Sequence, residues 1–179
     1  MNSIDKINTD YQAISNFLLK SDDISLLNDF NDYFRKILII SAGSYFEDQV
    51  TKILSDFVEK KSSGDDRIVH FLQKQAINQR YHTLFAWGKK DKPDNPGDNA
   101  NQFWSLFGEV FKKEIESKIK TNPDIDESIK SFISIGHLRN ILVHSNFAEF
   151  IYEQKTPQEI FKLYNSALPF LDFLKENFL

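Results

Sequence analysis

Arginine and histidine stand five residues apart in Gly136-His137-Leu138-Arg139-Asn140-Ile141-Leu142-Val143-His144-Ser145-Asn146-Phe147, with an asparagine directly after the arginine. Histidine moves protons near neutral pH, and arginine carries a permanent planar fork that matches phosphate oxygens. The Asn140 amide both donates and accepts, so it can orient an imidazole or hold a phosphate oxygen. Such a set suits a substrate that brings its own nucleophile. RNA does so in its 2′-hydroxyl: cleavage then needs a base for that proton, an acid for the departing 5′-oxygen and fixed positive charge on the phosphorane-like transition state. The bland alternative is that Arg139 and His144 are two cations placed at a helix C-terminus, where the macrodipole favours them.

Other routes to catalysis find little support. The 179 residues contain Cys 0, which removes cysteine nucleophiles, disulfides and thiolate metal sites. Of the four histidines, His70, His82, His137 and His144, the last two are seven apart. On one helix that is about 10.5 Å of rise, too far for one zinc. Acidic pairs such as Asp22-Asp23 and Asp65-Asp66 fall where helix caps are expected. Neither GxGxxG nor GxxxxGK[ST] occurs. No cofactor or metal is expected.

The elements that must carry the motif read as helices. Ile4, Ile7, Tyr11, Ile14, Phe17 and Leu18 recur at steps of three and four. After Ser21-Asp22-Asp23, an apolar series from Leu26 to Phe57 predicts one long spine helix, bent near Ser41 to Ser44. A third helix is expected from Asp65 or Asp66 through Ile77, and the stretch Arg80 to Trp87 is left without assignment. A fourth helix carries Phe103, Trp104, Phe107, Phe111, Ile115 and Ile119 inward and ends at Asn122-Pro123. A fifth, capped by Asp124 or Asp126, holds the motif; there Ile135, Leu138 and Leu142 face the core and Arg139 and Asn140 lie on another side. Thr156-Pro157-Gln158-Glu159 opens the last helix with a capping box, and Pro169 should bend or break it. Between them, Gly88 to Asn101 reads as a surface loop. Its lysines, Lys89, Lys90 and Lys92, are either solvated or contact an RNA backbone.

With 41% hydrophobic residues and 17 Phe, 6 Tyr and 2 Trp, the chain has ample material for a packed core. The expectation is an all-α, single-domain helical bundle over residues 1–179. Lys+Arg 22 against Asp+Glu 26 gives a net charge of −4, so nucleic acid would have to be met by a local patch. The N-terminus has neither a signal peptide's apolar core nor a membrane-spanning run, which makes a cytoplasmic protein without membrane partners the default.

The segments GHLRNILVHSNF, SYFEDQVTKIL on the long helix and NQFWSLFGEVFK ahead of the motif helix resemble the HEPN superfamily, most of all its RiboL-PSP branch. The resemblance spans most of the chain. It implies an α-helical bundle, a homodimer and metal-independent endoribonuclease activity through an R-polar-xxx-H motif, which falls on Arg139, Asn140 and His144. Some members add an acid followed after three residues by a basic pair; here Glu47 is followed by Thr51-Lys52, part of that pattern. On the long helix Glu47 either contacts Arg139 and sets its orientation or faces solvent beside a lysine. A toxin or phage-defence effector, held by an antitoxin or sensor protein, fits such an activity. The competing functions are a non-catalytic nucleotide- or protein-binding helical module and a purely structural dimer.

Geometry adds a constraint of its own. Five residues turn a helix by about 500°, so Arg139 and His144 stand some 140° apart around the axis. The helix must therefore end near His144, or a second chain must complete the site.

Overall fold

The computed structural model describes residues 3–89, 91, 92, 94–148 and 155–179. Among these the chain is helical throughout, with one isolated bridge between Gly88 and Pro96. Helix α1 (Ser3–Lys20) turns back through Ser21–Asp23 into α2 (Ile24–Lys61), whose first turn is capped by the Asp23 carboxylate accepting from the Leu26 N–H at 3.1 Å. The 38 residues of α2 make a rod about 57 Å long. This is the expected spine, and it runs without a break through Ser41–Ser44.

Two expected helices are subdivided. The third is α3 (Asp66–Leu72), capped by Asp65, continuing as a π-helical turn over Gln73–Asn78. The unassigned stretch after it holds the one-turn helix α4 (Tyr81–Leu84). The expected fourth helix is two: α5 (Asn101–Ser105) and α6 (Glu109–Lys120). Gly108 separates them at a φ of 95°, a conformation that glycine adopts without the Cβ clash of other residues. The apolar periodicity runs across the break because Phe103, Trp104, Phe107 and Phe111 all pack into one cluster of rings.

The motif helix is α7 (Pro123–His144), and its cap is Asn122, not Asp124 or Asp126, with Pro123 in the first turn. The acids instead enrich the first turn, where the helix dipole favours them. Helix α8 (Pro157–Phe178) opens on the expected capping box, with the Thr156 hydroxyl accepting from the Glu159 N–H and the Glu159 carboxylate from the Thr156 N–H. Pro169 does not break it. The N–H of Phe170, directly after the proline, donates to the buried Ser128 hydroxyl of α7 at 2.8 Å.

Helix α8 packs chiefly on α7 and α2, which also pack on each other, so the three long helices form the centre of the bundle. Phe46 of α2, Phe132 of α7 and Tyr164 and Phe170 of α8 meet in its centre, joined by Phe85 after α4 and by Phe103 and Trp104 of α5. Helix α1 is tied on by Tyr11, which donates to Asn31 of α2 at 2.8 Å and accepts from Gln158 of α8 at 3.0 Å. The consequence for function is a rigid α2–α7 seam buried along one side. Among the described residues no helix is long and apolar enough to cross a membrane.

Candidate active site on the α2–α7 seam

Helices α2 and α7 come into close contact where Gly43 meets Arg139. A Cβ built on Gly43 would lie 2.8 Å from Arg139 Cγ and 3.0 Å from its Cβ, so only a glycine lets the arginine stem lie across the helix. One turn further along α2, Glu47 receives that arginine: its Oε2 accepts from the guanidinium at 2.9 Å. The pair is part-buried, with side chains 26% and 35% exposed for Arg139 and Glu47, so it orients the guanidinium without sealing it from solvent. The lysine-paired residue is the neighbour, Asp48, whose carboxyl is held below its usual range by the hydrogen bond from Lys52.

Behind the arginine, Gly43, Phe46, Tyr81, Trp87, Gly136 and Arg139 line a crevice of about 10 Å³, room for one water rather than a substrate. Tyr81 is buried there. Burial and the negative charge of Glu47 raise its pKa far above the usual phenol range, against a smaller opposing pull from Arg139, so its hydroxyl stays protonated. Trp87 lies flat on α7 because residue 136 is glycine: a Cβ there would fall 2.0 Å from the indole Cζ3. The indole N–H donates to the His82 carbonyl at 2.9 Å, which fixes the ring.

Of the other motif members, Asn140 borders the same crevice and His144 stands at the end of α7. Asn140 is half-buried and His144 exposed, and among the described residues neither side chain has a hydrogen bond or ion pair. Helix α7 ends at His144, with Ser145 already extended at φ −102° and ψ 161°. The structure thus brings Glu47 and Arg139 together and leaves His144 of the same chain about 140° away around the α7 axis.

On that other side lies the lysine loop. His137, two turns before His144 and within about 20° of its direction, is buried, its Nε2 3.0 Å from the Asp94 carbonyl. The loop is further held by the Gly97 N–H donating to the Trp87 carbonyl at 2.8 Å. Lys89 is paired with Asp98 at 3.1 Å, Lys92 is exposed with no ion pair among the described residues, and Lys90 lies outside them. Among the described residues no three His, Asp or Glu side chains cluster in a way that could hold a metal ion.

The family model described as RiboL-PSP-HEPN matches residues 5–179, essentially the whole chain. The chain belongs to the RiboL-PSP-HEPN family. Its helical architecture agrees with HEPN domains being all-α. Comparison with curated proteins and with solved structures gave no match in either.

Sequence reasoning named the motif and Glu47 but missed Gly43, Tyr81, Trp87 and Gly136. A glycine inside an otherwise apolar helix, as in Ile40-Ser41-Ala42-Gly43-Ser44, is a readable sign of close packing. Nothing in the local pattern assigns Tyr81 or Trp87 to this seam.

Proposed function

We propose that this HEPN chain is an endoribonuclease that cuts RNA without a metal ion, acting as a single unit over residues 1–179 and as a homodimer. The observation that carries the reading is the division of labour on the last turns of α7. Arg139 is anchored by Glu47, whereas the half-buried Asn140 beside it and the exposed His144 keep their polar atoms unspent among the described residues.

In this mechanism one His144 takes the proton of a ribose 2′-hydroxyl, and that oxygen attacks the adjacent phosphorus. The bond to the 5′-oxygen breaks, and the 5′-oxygen leaves with a proton from the second copy's imidazole. Products are a 2′,3′-cyclic phosphate and a 5′-hydroxyl. Arg139 of each copy holds the non-bridging oxygens, and Asn140 donates to one of them or to the imidazole rim. Glu47 acts through Arg139 by fixing its direction.

Two features support a second copy at this site. One chain presents its arginine and histidine on different sides of α7, and apolar side chains stay exposed around the motif: Val143 and Phe147 beside it, Tyr33 and Ile37 on α2. HEPN domains are often ribonucleases and commonly act as dimers, which agrees with both. Lys92, on the His144 side of α7, is a proposed contact for the RNA backbone. A cytoplasmic toxin or phage-defence effector, restrained by an antitoxin or sensor protein, is the role such an enzyme would fill.

Purified wild-type protein incubated with RNA in excess EDTA, followed by end mapping, tests the proposal against the His144→Ala variant. Discrete cuts by wild type and none by the variant are expected. Intact RNA in both, with binding retained, would favour a non-catalytic nucleotide- or protein-binding module using Arg139 only as a phosphate contact.

A further inference from the structure

Helix α7 stops without a glycine or proline signal; the Ser145 N–H closes its last turn on the Leu142 carbonyl at 3.3 Å. Neither Gly nor Pro follows His144, and among the described residues no positive φ occurs near it. Ser145 keeps a local bond from its hydroxyl to the Ile141 carbonyl at 2.7 Å, and the Asn146 side chain accepts from the Ala148 N–H at 3.2 Å. Both bonds are local to the segment. Among the described residues the one side-chain hydrogen bond from elsewhere in the fold comes from Lys36 of α2, whose ammonium donates to the Phe147 carbonyl at 2.8 Å across 111 residues of sequence.

Lys36 is an unusual residue to find there. It is 5% exposed, yet its ammonium has no carboxylate partner among the described residues. Its compensation is the Phe147 carbonyl together with two aromatic faces, Phe147 at 5.3 Å and Tyr33 at 5.7 Å from the ring centroids. A buried cation without a counter-ion is expensive, and an apolar side chain of the same length would fill the space at lower cost. The acceptor of Lys36 lies three residues past His144, so the bond holds the chain that leaves α7 rather than the carbonyls of the last turn.

We propose that Lys36 is a positioning residue: by clamping the Phe147 carbonyl it fixes the chain leaving α7 and with it where the His144 imidazole stands. This role rests on the reading of His144 as the proton-transfer residue. Glu47 and Lys36, eleven residues apart on α2, then hold the two ends of the motif to one rod, Glu47 through the Arg139 side chain and Lys36 through the backbone beyond His144. A displacement of about 1 Å in a reacting group can cost about 10²-fold in rate, which is the reason to tie both ends down.

The test compares wild type with Lys36→Met, which keeps the length and loses the charge, and with Lys36→Arg, which keeps cation and donors. Hydrogen exchange at the Ser145 and Ala148 amides, which donate to the Leu142 carbonyl and the Asn146 side chain, thermal melting, and kcat and KM for RNA cleavage are measured. Lys36→Met is expected to melt at or above the wild-type temperature, to exchange at Ser145 and Ala148 about tenfold faster or more, and to lose about 10²-fold in kcat with KM little changed. Lys36→Arg is expected to recover a large part of both. Wild-type exchange in Lys36→Met, or fast exchange with undiminished kcat, would overturn the proposal. Should wild type leave RNA intact, the cleavage reading falls, and the exchange comparison by itself still upholds or overturns the clamp.

Discussion

Replacing Gly43 with alanine places one methyl where α2 and α7 touch. It would sit 2.8 Å from Arg139 Cγ and 3.0 Å from Arg139 Cβ, against the roughly 3.5–4.0 Å at which carbon atoms rest. The Cγ contact can be relieved by a new χ1 rotamer, which takes the guanidinium off Glu47. The Cβ contact cannot, because that atom moves only with the α7 backbone, so the seam must open by about 0.5 Å. Overpacking of this kind costs about 1–3 kcal/mol, while alanine for glycine inside a helix returns about 1 kcal/mol. The expected net loss is about 0–2 kcal/mol, read as a lowered urea midpoint at unchanged slope. Activity should suffer more than stability, falling about 10²-fold, since the arginine leaves its anchor. A Gly43→Ala protein that is about 1 kcal/mol more stable, as helix propensity alone would give, and that cuts RNA at the wild-type rate would refute the argument from close approach.

Three further outcomes follow from the same seam. Glu47→Ala should cost less than about 1 kcal/mol in stability, because the pair is partly solvated, yet lower cleavage about tenfold or more, with Glu47→Gln retaining part of it; denaturation and initial rates check this. Arg139→Ala and His144→Ala should each abolish cleavage, and any growth arrest on expression, while circular dichroism shows unchanged helix content; loss of activity through unfolding would remove the support for both assignments. Light scattering at micromolar concentration should give about twice the 20.9 kDa chain mass, and a monomer that still cuts RNA would contradict the two-copy site.

The long elements were readable from sequence because their apolar residues repeat at helical spacing over many turns and their caps are chemically explicit, as at Asp23, Asp65 and the Thr156–Glu159 box. The motif was readable because few side-chain types suit phosphate chemistry. Where the reading failed, a tertiary contact overrode the local signal. Phe107 continues the ring periodicity of Phe103 and Phe111, but Gly108 turns the chain between them. Pro169 should interrupt α8, yet the helix runs through it, with Ser128 of another helix accepting from the next N–H. The acids after Pro123 look like caps, although Asn122 had already taken that role. The Glu47 contact was legible as one of two options, and choosing between them required knowing that α2 and α7 cross at Gly43.

The central claim is that RNA supplies the nucleophile and that His144 moves its proton. An oligonucleotide containing a single preferred cut site, prepared with either a 2′-hydroxyl or a 2′-methoxy group at that nucleotide and incubated in EDTA, tests it most directly. The account predicts that the hydroxyl form is cut to a 2′,3′-cyclic phosphate and a 5′-hydroxyl by wild type and not by His144→Ala, while the methoxy form stays whole. Cutting of the methoxy form at a comparable rate, or equal cutting of the hydroxyl form by His144→Ala, would contradict it.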